Sequence, residues 1–206
     1  MTGSGLQRQL VDHLDHALLN LSMLDEDSRT AVEGARRAIE QAEALLSLLE
    51  HLDRPTSRDL RRTLRHSWTL LTPVLEHRSQ LRPGAPPPLA PSVRSWVSQA
   101  TVALLAVRQA VDVPLWRAPT DLAVVVANAA SAYRKARKQW TKGGSLPDAK
   151  MLRAARRVRF HAEALCPPKR LAADARYRAM LGPDLGLLFS ATPNDHARWL
   201  ARLAVP

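Results

Sequence analysis

Cysteine is almost missing from this chain: Cys166 stands alone among 206 residues, so no internal disulfide framework can form. Glycine is scarce, at 8 residues, and aromatic side chains make up only 4%. Runs of β-branched residues are few, which disfavours a sheet and, with abundant alanine and leucine, favours helix. Long apolar stretches are lacking too. The longest, Leu122 to Ala132, is about half of what a bilayer crossing needs, and Asn128 interrupts it. Met1 to Asp12 contains no apolar core of the kind a secretion signal requires. No Gly-x-Ser-x-Gly elbow, P-loop or dinucleotide-binding glycine motif occurs. These absences predict a soluble, cytoplasmic, all-α, non-enzymatic protein with no cofactor and no membrane span.

What the chain does have is positive charge, and it is unevenly placed. The formal net charge is +11. Residues 1–103 hold 12 basic and 12 acidic side chains, while 104–206 hold 18 basic and 7 acidic. The excess narrows to 134–178, with 14 basic and 3 acidic residues. A local field of that kind attracts polyanions. Long basic side chains also solvate ordinary helix faces, and that plainer reading stands beside the first.

Apolar spacing and breakers predict the helices. The first spans about Gly5 to Met23, with Leu6, Leu10, Leu14, Ala17, Leu18 and Leu21 on one face. Asp27 or Ser28 caps a second, which runs to about Leu52 before Asp53-Arg54-Pro55 stops it. Thr56 or Ser57 caps a third reaching about Ser79. Arg82-Pro83-Gly84-Ala85-Pro86-Pro87-Pro88 cannot be helix and reads as a stiff joint. Ser92 caps a fourth helix ending near Val111. A fifth runs from Thr120-Asp121 to Thr141, before Gly143-Gly144. A sixth, from Ser145 to Leu165, stops at Pro167-Pro168. Short helices near 169–181 and 194–203 follow. On the sixth, Met151, Ala155, Val158, Ala162 and Leu165 form one stripe, and Arg153, Arg156 and Arg157 are expected on the opposite side. Arg134, Arg137 and Lys138 cluster likewise on the fifth.

Candidate chemistry is thin. His13 and His16 lie one turn apart, but no second cluster completes a metal shell, so a solvated face is favoured. Cys166 ends a helix near arginines, with no residue evidently arranged to activate it, which favours a structural thiol. His161 could join an anion site when protonated, or pack at a hairpin edge, and packing is preferred. Trp68, Trp96, Trp116, Trp140 and Trp199 are scattered, as in core and edge packing and unlike a base-stacking platform.

The stretch Tyr133-Arg134-Lys135-Ala136-Arg137-Lys138, a loop, then Arg156-Arg157-Val158-Arg159-Phe160-His161-Ala162-Glu163-Ala164-Leu165, resembles the second half of a CHAD (conserved histidine α-helical) domain. Leu181-Gly182-Pro183-Asp184 resembles the Leu-Gly-x-Asp that follows there. In the first half, Ala31-Val32-Glu33-Gly34-Ala35-Arg36 through Leu46 looks like the matching repeat, and Leu64 to Leu71 like the later acidic motif. The resemblance implies a two-fold pseudo-repeat of four-helix bundles, with half-repeats of about 1–80 and 92–206 joined by a proline-rich linker, 82–91. It also implies binding of inorganic polyphosphate on a basic surface.

The sequence departs from the family pattern at the positions that matter for that binding. Glu33 and Ala149 stand where the family has its signature histidines. The partner arginine is retained as Arg36 but is Leu152 in the second repeat. Further basic positions of the first repeat become Glu40, Gln41 and Glu43, and acidic positions of the later motif become His66 and Trp68. Glu33–Arg37 and Arg36–Glu40 have the i,i+4 spacing of local ion pairs. The expectation is a polyanion surface built from Arg134, Lys135, Arg137, Lys138, Arg153, Arg156, Arg157 and Arg159, with Arg36 as a first-half contribution. Its ligand would be inorganic polyphosphate or a similar phosphate polymer, with nucleic acid bound only non-specifically. The alternative is a degenerate scaffold that has lost the ligand, its basic cluster quenched by the acidic first-half helix, and serves as an adaptor for an acidic protein partner.

Overall fold

The structure is a computed structural model, described here over residues 3–24, 28–79 and 91–112, and at positions 124, 125, 127–129, 131, 132, 135, 154, 156–158, 160, 161 and 164. The all-α expectation is met among these residues, which contain no strand. Five complete helices run in order: α1 (Gly3–Ser22), α2 (Ser28–Leu48), α3 (Arg54–Leu70), α4 (Thr72–Ser79) and α5 (Pro91–Ala110). The chain divides into two compact units, 1–120 and 121–206. The first holds all five of these helices. The proline-rich linker and the two short C-terminal helices expected from the sequence lie outside the described residues. No described helix is long and apolar enough to cross a membrane.

The core of the first unit follows from leucine and alanine spacing. Leu6, Leu10, Leu14, Ala17 and Leu21 recur every three or four residues along α1, and all are buried. On α2, Val32, Ala35, Ile39, Ala42, Leu45 and Leu46 form a broader buried face, continued by Leu49 just beyond its end. That width suits a helix with neighbours on several sides, and α2 packs on α1, α3 and α4. Gly34 lets α1 come close: a Cβ there would lie 2.5 Å from Oδ1 of Asn20. Asn20 is itself fixed by a 2.8 Å bond from its side-chain nitrogen to the His16 carbonyl. The helix after the proline-rich stretch, α5, packs on α1 and α3. Gln7 donates to the Val111 carbonyl at 3.3 Å, and Arg108 donates to Asp15 at 2.9 Å, so α1 and α5 run antiparallel.

Three boundaries differ from the sequence expectation: α2 ends at Leu48, short of the expected Leu52, and two others shift further on. Asp53, expected to help stop the second helix, caps the start of α3 instead. Its Oδ1 accepts from the Thr56 N–H at 3.1 Å, and Oδ2 accepts from the Thr56 hydroxyl at 2.6 Å. Pro55 sits in the first turn, where its missing N–H costs nothing. The single helix expected up to Ser79 is also split, at Leu71. Pro73 brings no N–H for the preceding turn and disfavours helical backbone at Thr72. The chain therefore restarts as the short α4.

Candidate functional site

Of the nine expected polyanion contacts, four fall on described residues. Lys135 and Arg156 are helical and exposed. Arg157 is half-buried, and Arg36 likewise. Arg134, Arg137, Lys138, Arg153 and Arg159 lie outside the described residues, and convergence of the two clusters into one strip depends on them.

The described part of the sixth helix has Val158 of the expected apolar stripe buried and Arg156 of the expected basic side exposed, with a buried face that also takes in neighbouring residues. Val158, Phe160, His161 and Ala164 are all buried. Arg157 shares a side with His161 and Ala164 through i, i+4 and i+7 spacing and is half-buried there. Arg156 alone of the two adjacent arginines is exposed. His161, at 3% exposure, is a core residue.

Arg36 is engaged in another way. Its guanidinium carbon lies 3.8 Å from the centroid of the Trp68 ring, a cation–π contact that ties α2 to α3. The acidic residues of α2 and of the turn after it are used within the first unit as well. Glu33 pairs with Arg29, 3.0 Å away and one turn back, in place of the i,i+4 arrangement with Arg37. Glu43, nearly buried, accepts two bonds from Arg65, 2.8 Å from Nε and 2.6 Å from Nη2. Seven residues on, in the turn after α2, Glu50 meets Arg61 at 3.1 Å, Arg54 at 3.2 Å and Arg58 at 3.4 Å. Arg61 also reaches back to Glu43 at 3.8 Å, linking the two carboxylates into one ladder. Glu43 and Glu50 are thus committed to arginines of their own unit.

This arginine stripe on α3 escaped the sequence reading. Averaged over residues 1–103 the charge cancels, which hides a 17-residue helix with five arginines and one acid. The signal that could have found it is spacing: Arg54, Arg58, Arg61 and Arg65 recur every three or four residues, opposite Glu43 and Glu50 seven apart. Among the described residues no three His, Cys, Asp or Glu side chains converge as a metal-binding group, and Cys166 lies outside them.

No family model, curated protein or solved structure matches this chain. The resemblance to the CHAD family stands on its residues alone.

Proposed function

We propose that this chain is a divergent CHAD-like, non-enzymatic receptor for inorganic polyphosphate or a similar phosphate polymer, built as a two-fold repeat of four-helix units and working in the cytoplasm. The observation that carries the reading is charge segregation: 14 basic against 3 acidic residues in 134–178, with Lys135 and Arg156 exposed on helices of the second unit. The proposed contacts are Arg134, Lys135, Arg137, Lys138, Arg153, Arg156, Arg157 and Arg159. Their role is electrostatic. Guanidinium and ammonium donors pair with phosphate oxygens, and no bond is made or broken. Arg36 belongs to the first unit and is engaged with Trp68, so the proposal does not rest on it.

The test is a titration of the full chain with long-chain polyphosphate, DNA and RNA at two salt concentrations. Because Arg157 is half-buried, the cleaner charge reversal is Lys135→Glu with Arg156→Glu. Polyphosphate binding that is tighter than nucleic-acid binding, and that the double variant weakens by about tenfold or more, supports the reading. Absence of polyphosphate binding at low salt removes it and leaves the protein-adaptor alternative.

A further inference from the structure

The α3 stripe has an outer side that α2 does not use. On a straight helix, positions 54, 58, 61, 62 and 65 fall within an arc of about 100° and extend over about 16 Å. Four of these side chains reach solvent: Arg54 is 68% exposed, Arg58 56%, Arg62 82% and Arg65 48%. The carboxylates beneath hold them from one side only. Arg54 and Arg58 each approach Glu50 through Nε, and Arg65 meets Glu43 through Nε and Nη2. A guanidinium has five N–H donors, so each retains donors beyond its carboxylate. The five arginines stand against Glu40, Glu43, Glu50, Asp59 and the capping Asp53, but Glu43 and Glu50 are only 9% and 25% exposed, so the solvent side of the stripe is the more positive one.

The spacing selects the partner. Arginines four residues apart repeat at about 6 Å along the axis, and carboxylates at i and i+4 on a second helix repeat at the same interval. On the inner side Glu43 of α2, and Glu50 in the turn that follows it, already meet α3 arginines. A rigid acidic helix can satisfy several guanidiniums at once in that register, whereas a flexible polymer must be ordered to do so. We propose that the outer side of α3 docks an acidic amphipathic helix of a partner protein. Its carboxylates would sit at three- and four-residue intervals and pair with Arg54, Arg58, Arg62 and Arg65. The proposal is independent of polyphosphate binding in the second unit.

The experiment uses the full chain and two labelled alanine-rich helical peptides of identical composition. One carries its glutamates along a single face, and the other distributes them around the helix. The expected result is binding of the one-face peptide about tenfold more tightly than its control. Arg58→Glu with Arg62→Glu should weaken it by a further tenfold or more, while Lys135→Glu with Arg156→Glu changes it less than about twofold. The milder pair Arg54→Gln with Arg62→Gln, at two of the most exposed positions, should weaken binding without altering the circular dichroism spectrum. Equal affinity for the two peptides, no binding, or loss only in the Lys135/Arg156 variant overturns the proposal. So does loss of polyphosphate binding, instead of peptide binding, in the Arg58/Arg62 variant.

Discussion

Arg36 stacks its guanidinium on the ring of Trp68, 3.8 Å from carbon to centroid, and so joins the middle of α2 to the last turns of α3. Cation–π contacts of this kind are worth roughly 0.5–2 kcal/mol. Arg36→Gln should therefore lower the stability of the first unit by about 1 kcal/mol in a urea titration. The same variant should leave polyphosphate affinity within about twofold of the parent chain, while Lys135→Glu with Arg156→Glu reduces it far more. A large loss of affinity in Arg36→Gln would return that residue to the binding surface.

Glu43 is the anchor of the α2–α3 ladder, with 9% of its side chain exposed and Arg61 beside it at 13%. Removing its charge takes the carboxylate from both Arg65 bonds and one of two carboxylates from Arg61, which keeps Glu50 at 3.1 Å. Exposure of Arg65, at 48%, softens the loss. Glu43→Gln should cost about 1–3 kcal/mol by denaturant midpoint. Arg62→Gln, at an exposed pair with Asp59, should cost less than about 0.5 kcal/mol. Equal costs for the two would contradict the ladder.

Asp53 caps α3 through two bonds to Thr56. Asp53→Ala should destabilise by about 1 kcal/mol, and Asp53→Asn, which keeps an acceptor, by distinctly less. Thermal unfolding of the three proteins decides the matter. Identical midpoints would mean that the helix starts elsewhere, at Thr56 or Ser57.

Gly34→Ala trades helix propensity against space. Alanine is favoured over glycine by about 1 kcal/mol in a helix interior, but its Cβ would meet the Asn20 side chain. The prediction is non-additive: the substitution is close to neutral in the parent and stabilising by about 0.5–1 kcal/mol once Asn20→Ala has cleared the site. A double-mutant cycle with no coupling would place the two helices further apart than the structure does.

Polyphosphate binding should also carry the mark of counterion release. Log affinity should fall linearly with log salt, and the slope should shrink by about one for each phosphate contact removed, as for nucleic-acid backbones. Lys135→Glu with Arg156→Glu should thus flatten the salt dependence as well as weaken binding. Weaker binding at an unchanged slope would indicate a structural effect of the substitutions.

Much of the first unit was legible from local pattern. The leucine spacing of α1 needs only the helical period to place Leu10 and Leu14 inside, and proline marks the breaks. The third helix shows where this stops working. Thr56 and Ser57 are good caps by type, yet Ser57 is fully buried and donates to the Leu46 carbonyl at 2.8 Å, while Asp53 takes the cap. Residue type alone could not separate three adjacent capping candidates, because the choice depended on how closely α2 approaches. The full width of the buried face on the sixth helix was hard to read for a related reason: Val158 is expected inside, but Phe160, His161 and Ala164 join it. An alanine-rich stripe and one containing Phe160 and His161 differ by one residue of rotation, and alanine has too little apolar surface to decide between them.

The sequence by itself determined that the described residues are helical, that a break falls near Asp53 though not the one at Leu71, and that the net charge lies in the second half. Each of these follows from propensity, period or a plain count. Only the tertiary structure decided which arginines of the first unit meet carboxylates and which one meets an aromatic ring. A guanidinium on a long flexible stem can reach partners on several neighbouring elements. The register and direction of packed helices, set by the leucine and alanine core, select among them.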